Sequence, residues 1–167
     1  ALNTDAGGIT TEDGRPLAFY IQTAEKVYLT LRVEVTNSGG HSSLPRSDNA
    51  IYELAEALVR LKAHDFPASL NEGTRNFFKQ GARFYHPETA ASMVALSEDR
   101  ATADDIARLD SVVSLKTQMR TTCVATMLEG GHAENALPQL AAATVNCRVL
   151  PHESTEEVVA TVRRVLA

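Results

Sequence analysis

Residues 26–45, KVYLTLRVEVTNSGGHSSLP, contain the change of pattern that decides the fold. From Lys26 to Thr36 apolar and polar side chains alternate, which predicts a strand with one buried face. The glycine pair that follows permits backbone angles closed to other residues, and the final proline fixes the exit of the turn. The stretch therefore predicts a strand that ends in a stiff corner carrying His41, before a helix begins.

The helix after this corner is predicted from apolar residues at helical spacing. Either Ser47 or Asp48 is placed to cap its N-terminus, and the pattern fades near residues 62–64. The positions expected to face inward are Ile51, Leu54, Ala55, Leu58 and Leu61.

A different pattern runs from about residue 65 to residue 118. It predicts two helices, Pro87 to Leu96 and Thr102 to Leu115. An aromatic cluster precedes them and is expected to form a small core of its own; it consists of Phe77, Phe78, Phe84 and Tyr85. We interpret this region as a helical insertion.

Two further strands, residues 120–128 and 140–150, flank a loop and predict an antiparallel hairpin with a long connection. Ser154 and Glu157 form a capping-box pattern that opens a last helix. Cys123 and Cys147 share the inward phase of their strands, beside Ala125 and Met127 in one and Val145 and Val149 in the other. We expect the two cysteines to lie close together as buried free thiols.

This order of elements predicts an α+β fold. Its form is a two-layer ferredoxin-like (split βαβ) sandwich, with an antiparallel sheet, helices on one face and the helical insertion. The pattern ends inside a helix and leaves the sheet one strand short. Together with the abrupt first residues, this predicts a piece of a longer protein.

Composition excludes several classes of function. The formal net charge is −5 and no basic cluster is present, so nucleic acid is not an expected partner. No apolar run is long enough to cross a bilayer, which argues against a membrane role. Two cysteines without close spacing leave the compartment open between cytoplasmic and periplasmic or secreted.

Three short motifs, in this order, resemble a known family. They are Gly40-His41-Ser42-Ser43-x-Pro45, Gly130-Gly131-x-x-x-Asn135-x-x-Pro138 and Asn146-Cys147-Arg148. They are similar to the lid, or dimerisation, domain of the di-zinc aminoacylase and carboxypeptidase metallopeptidases, and most of all to the carboxypeptidase S branch. The resemblance implies that residues 26–167 are the lid, that residues 1–25 are the edge of a catalytic domain with its linker, and that most zinc ligands lie elsewhere.

The resemblance also implies roles for four residues. His41 would stabilise the oxyanion in the partner subunit's active site. Asn135 would hydrogen-bond the substrate, and Arg148 would bind its carboxylate through two parallel hydrogen bonds. Asp5, in Asp5-Ala6-Gly7-Gly8, would be a terminal zinc ligand. Each has a plain structural alternative: a turn histidine, a loop-stabilising asparagine, a solvated arginine and an aspartate in a glycine turn.

Two functions of different classes remain open from the sequence. The first is a fragment of a zinc-dependent peptidase or amidohydrolase that cleaves peptide or N-acyl amino acid bonds. It would form a homodimer through the strand of residues 26–36 and the helix Ile51 to Leu61, and would hydrolyse no amide alone. The second is a stand-alone dimerising or ligand-binding α+β module, since this fold hosts many functions.

Overall fold

The structure is a computed structural model, and it describes residues 7–167. The strands are β1 (Gly7–Glu12), β2 (Arg15–Ile21), β3 (Val27–Thr36), β4 (Gly40–His41), β5 (Thr122–Gly130), β6 (Ala136–Leu137) and β7 (Leu140–Val149). The helices are α1 (Ala50–Ala63), α2 (Glu72–Gly81), α3 (Pro87–Ser97), α4 (Ala103–Asp110), α5 (Val113–Met119) and α6 (Thr155–Leu166). A 3₁₀ turn spans Ala82–Phe84.

The main sheet has three antiparallel strands in the order β3-β7-β5. The central strand is β7, and its register with β3 runs from Val27 opposite Val149 to Thr36 opposite Leu140. Two short ladders, β1-β2 and β4-β6, lie apart from this sheet. The α+β class with an antiparallel sheet is therefore confirmed, and both β3 and β5 are edges of the described main sheet.

Alternate residues of β7 build the core beneath α1 and α6. Val145, Cys147 and Val149 are fully buried, together with side chains of the two helices: Leu61, Val158 and Val162. Burying an apolar side chain of this size stabilises a fold by roughly 1.5–3 kcal/mol, so this row helps to hold the helices on the sheet. The inward face predicted for β3 is confirmed, since Leu29, Leu31 and Val33 pack on the same core.

Cys123 and Cys147 lie directly opposite each other in the β5-β7 ladder, as their shared phase predicts. The expectation of free thiols is wrong, because the structure joins them in a disulfide with Cα atoms 4.0 Å apart. The inward phase also fails within β5, because Ala125 lies opposite Val145 but is exposed. The register shifts between Ala125 and Met127, so Met127 pairs with Thr144 on the open face and is 60% exposed.

The helical insertion has a core separate from the sheet, as predicted. Phe78, Met93, Leu109, Leu115 and Met119 are fully buried there, and Phe77 and Tyr85 pack against them. The predicted helix Thr102 to Leu115 is divided into α4 and α5 at residues 111–112. The sequence reading missed α2, although Asn71 and Thr74 form a capping box at its start.

The helix caps differ in detail from the predictions. Asn49, and neither Ser47 nor Asp48, caps α1: its side chain accepts a hydrogen bond from Ile51 N at 2.9 Å. Ile51 itself is 42% exposed, and Ala55 is exposed as well, so two of the expected inward positions of α1 are wrong. Ser154 caps α6 as predicted. No helix among residues 7–167 has the length and apolar character needed to span a bilayer.

Candidate functional site

His41 lies on β4, a two-residue strand directly after the corner that ends β3. Its partner in the ladder is Ala136 of β6, and the next amide, Ser42 N, donates to Asn135 O at 2.9 Å. The short ladder therefore brings together the histidine and the asparagine of two motifs that are almost a hundred residues apart in sequence.

The corner that carries His41 depends on Gly39. This glycine has φ +72°, and a Cβ placed on it would lie 2.7 Å from the Gln139 Cγ atom. Its amide donates to Asn37 Oδ1 at 3.0 Å, while Asn37 Nδ2 donates to Asp48 Oδ2 at 3.1 Å. Only a residue without a side chain fits this backbone, and the asparagine ties the turn to the start of α1.

Asp48 is in turn held by Arg46. The guanidinium of Arg46 donates to the Asp48 carboxylate at 2.8 and 2.7 Å. These hydrogen bonds are the main cause that lowers the pKa of Asp48 to about 2. The Asp48 carboxylate, which accepts from Asn37 in the corner, is therefore ionised throughout the neutral pH range.

The hydrogen bonds of His41 fix its tautomer. The Ser43 amide donates to Nδ1 at 3.2 Å, and Ser43 Oγ lies 2.8 Å from the same atom. Because Nδ1 accepts, the neutral ring carries its proton on Nε2. No described residue bonds Nε2, and the side chain is exposed. The ring thus presents an N–H donor to the outside, which is the chemistry that stabilising an oxyanion requires.

Asn135 contributes its backbone to the ladder and leaves its amide group available. The carbonyl accepts from Ser42 N, whereas the side chain is exposed and has no hydrogen bond with residues 7–167. The loop-stabilising role is thus fulfilled by the main chain. The free amide offers both donor and acceptor atoms to a ligand beside His41.

Arg148 lies on the open face of the sheet, opposite Tyr28 on β3 and Thr122 on β5. Its guanidinium carbon lies 4.5 Å from the centroid of the Tyr28 ring. The side chain is exposed, and in the described part of the chain no carboxylate pairs with it. An unpaired cation on an exposed sheet face is suited to bind an anion.

The structure does not bring Arg148 together with His41 and Asn135. Arg148 pairs with Tyr28 near the start of β3, whereas the corner with His41 follows Thr36 at the other end. Eight residues of strand separate the two positions, which is about 26 Å at roughly 3.3 Å per residue. The motif residues therefore form two half-sites at opposite ends of one sheet.

Residues 7–167 do not fit a metal site. Within them no three side chains of His, Cys, Asp or Glu are close enough to share an ion. Asp5, the candidate zinc ligand, lies outside the described residues. Two of the other four histidines have contacts elsewhere in the structure. Ser69 Oγ lies 2.7 Å from His152 Nε2, and the His64 ring packs edge-on against Phe66.

Tyr28 is the residue at the Arg148 half-site that sequence reasoning missed. The alternating pattern of β3 predicts that the Tyr28 ring lies on the open face of the sheet. It does not identify the residue on the neighbouring strand that the ring contacts. The signal was the equal phase of Tyr28 and Arg148 on two predicted strands, which becomes informative only once the register is known.

Comparison with known proteins identifies a family. A profile described as Peptidase dimerisation domain (M20_dimer) matches residues 23–167. The chain is 32% identical over 154 residues to Probable carboxypeptidase S-like 2 of Dictyostelium discoideum, covering 91% of this chain and 28% of that protein. It is 29% identical over 173 residues to N-fatty-acyl-amino acid synthase/hydrolase PM20D1 of Homo sapiens, covering 100% and 34%.

Among solved structures, the M20 family metallo-carboxypeptidase Sso-CP2 from Sulfolobus solfataricus matches 83% of this chain and 38% of that chain, with a TM-score of 0.44 and 19% identity. The chain thus spans about a third or less of the length of these two curated relatives.

Proposed function

Since the chain belongs to the M20 peptidase family as its dimerisation domain, we propose that it pairs two subunits of a zinc-dependent carboxypeptidase or N-acyl amino acid hydrolase. In this proposal residues 26–167 are the lid with its split βαβ layer, and residues 1–25 belong to the edge of the catalytic domain and the linker. Because residues 7–167 do not fit a zinc site, we expect the isolated chain to hydrolyse no amide, and the lid's own part is to bind substrate and stabilise charge.

The observation that carries the proposal is the distance between the half-sites. In an N-acyl amino acid or a peptide, the carboxylate lies within about 5 Å of the scissile carbonyl, because only a few bonds separate them. Tyr28, which faces Arg148, and Thr36, which precedes the corner with His41, lie about 26 Å apart along β3, so His41 and Arg148 of one subunit cannot both reach such a substrate. Each active site therefore takes His41 and Asn135 from one subunit and Arg148 from the other.

A two-fold axis provides this arrangement when two sheets meet edge to edge. Antiparallel pairing of β5 with the partner's β5 sets the Thr122 end of one strand beside the Gly130 end of the other. Arg148 pairs with Thr122, and Gly130 leads into the loop that carries Asn135. The symmetry therefore brings the Arg148 half-site of one subunit toward the His41 half-site of its partner.

The strand β5 is a better edge for this contact than β3, which the sequence alone favoured. Its exposed apolar side chains are Val124, Met127 and Leu128. Helix α1 continues the patch: an ideal Cβ on Gly130 would lie 3.5 Å from the Ile51 side chain, and Tyr52 and Val59 of α1 are each 66% exposed. Exposed apolar area next to an unpaired edge is the usual form of a self-association surface.

The experiment that tests a shared site mixes two variants of the full-length enzyme, His41→Ala and Arg148→Ala, at a substrate concentration low enough that each variant alone has little activity. If each site is shared, a mixed dimer contains one site with both defects and one site with none. After complete subunit exchange half of the dimers are mixed, so activity should return to about a quarter of the wild-type value. Should exchange be demonstrated and the mixture stay inactive, both residues act within one subunit and the shared site is wrong.

The matched control mixes the double variant His41→Ala/Arg148→Ala with wild-type enzyme. Every site of the mixed dimer then has one defect, so activity should fall below the half expected from dilution. If each site lies within one subunit, the wild-type subunit of every mixed dimer keeps its activity. The total activity then stays at the half expected from dilution.

A further inference from the structure

We propose that Tyr28 is a positioning residue whose ring holds the Arg148 guanidinium in the pose that binds the substrate carboxylate. The inference rests on the carboxylate-binding role proposed above for Arg148. It adds a residue that none of the three motifs contains, because Tyr28 precedes them on β3.

The contact is a direct cross-strand pair. Tyr28 and Arg148 are opposite residues in the β3-β7 register, and the guanidinium carbon lies 4.5 Å from the ring centroid. A guanidinium over the face of an aromatic ring is attracted by the negative potential of that face. The neighbour on the other side, Thr122, is neutral, so within residues 7–167 the ring is the group that restrains the Arg148 head.

The contact with the ring leaves the arginine able to bind. Arg148 is exposed, and none of its five N–H donors has a hydrogen-bond partner within residues 7–167. The edge that forms two parallel hydrogen bonds with a carboxylate is therefore free. A long side chain that is already held loses less freedom on binding than one that moves in solvent, so the ring should act on affinity.

One further cation and one carboxylate act on each other at this end of the sheet. Lys26 lies near Arg148, and its ammonium donates to Arg120 O at 2.5 Å. Burial is the main cause that lowers the pKa of Lys26, Glu153 opposes this shift, and the charge of Arg148 adds to it. Because Glu153 acts on Lys26 more strongly than Arg148 does, the charge of Lys26 is balanced in part by Glu153, and Arg148 is the cation available to a carboxylate.

The test uses the full-length, zinc-loaded enzyme with N-oleoylphenylalanine as substrate and its carboxamide as competitive inhibitor. Tyr28→Leu should raise KM about 3- to 10-fold and change kcat less than about 2-fold, because the lost cation–π contact affects binding of the carboxylate. Tyr28→Phe keeps the ring and should match wild type within about 2-fold. Inhibition by the carboxamide, which lacks the charge, should be the same for all three enzymes.

Two further variants separate the possible failures. Thr30→Val, on the same face of β3, is the matched control and should change neither constant. In an Arg148→Ala background, Tyr28→Leu should have no further effect. If Arg148→Ala raises KM but Tyr28→Leu does not, the positioning role is wrong. A further KM increase by Tyr28→Leu in the Arg148→Ala background would also exclude it, since the ring would then act without the arginine.

Failure of the underlying function gives different results. If Arg148→Ala leaves KM unchanged, or if wild-type enzyme does not hydrolyse N-oleoylphenylalanine, the proposed function itself is wrong for this substrate class. Thermal unfolding of each variant shows whether a change in KM comes from a damaged fold. Tyr28 is 63% exposed, so we expect unfolding temperatures close to that of wild type.

Discussion

Cys123 on β5 and Cys147 on β7 are directly opposite each other and joined by a disulfide, which links the edge strand covalently to the centre of the sheet. The proposed dimer contact lies on that same edge strand. The bond therefore stiffens the surface through which we expect two subunits to associate.

We predict that reducing this disulfide destabilises the protein by about 3 kcal/mol, because the bond closes a loop with a sequence separation of 24 residues and restricts the unfolded chain. Thermal unfolding with and without a thiol reductant measures the effect. Cys123→Ala is the control, since it cannot form the bond and its unfolding temperature should not respond to reductant. An equal response of wild type and variant would show that the disulfide contributes nothing.

Gly39→Ala should destabilise the protein and lower kcat of the full-length enzyme. At φ +72° an alanine is strained by roughly 1–2 kcal/mol, and its Cβ would also meet Gln139 and the Leu137 carbonyl. Gly131→Ala is the matched control, because Gly131 has φ +78° but nothing within 4 Å of its Cβ position. If both variants lose equal stability and activity, the contact of the new Cβ with Gln139 and Leu137 has no effect beyond backbone strain.

Arg120→Met should cost about 3–5 kcal/mol of unfolding free energy. The Arg120 guanidinium is almost buried; it donates to both Asp110 carboxylate oxygens, at 2.8 and 2.9 Å, and to the Phe66 carbonyl. Removing it leaves a poorly solvated carboxylate without a partner. Urea unfolding of the variant measures the loss.

The exposed ion pair Lys116–Asp65 provides the comparison for Arg120. Lys116→Met should cost less than about 1 kcal/mol, since solvent screens an exposed pair. The double variant Arg120→Met/Asp110→Leu should recover part of the loss, because no charge is then left unpaired. Similar costs for both single variants would contradict the argument from burial.

Asp105 should make the helical insertion sensitive to acid. Its carboxylate accepts from Thr102 N at 2.9 Å and from Ser92 Oγ at 2.8 Å, and these hydrogen bonds, led by the backbone amide, lower its pKa to about 2. Because the folded pKa lies below the unfolded value of 3.8, the stabilisation is complete above about pH 4 and is lost as the pH falls toward 2. Unfolding of wild type and Asp105→Asn between pH 2 and 6 tests this, and parallel pH curves would contradict it.

Local patterns determined a large part of this fold. Alternation over residues 26–36 predicted β3 and its buried face, and Ser154 predicted the start of α6. The two glycines before His41 predicted the corner, because φ +72° at Gly39 is unfavourable for a residue that has a side chain. Each of these properties depends on one short segment and its nearest neighbours in sequence, so the sequence of that segment is enough to predict it.

Only the tertiary structure decided which segments meet and in what register. The disulfide, the Tyr28–Arg148 contact and the register shift at Met127 all depend on how β7 pairs with its two neighbours. The three motifs gave no sign that Arg148 lies at the opposite end of the sheet from His41 and Asn135. Pairing register is set by the packing of side chains from distant segments and by loop closure between them, and neither is encoded in the period of a single strand.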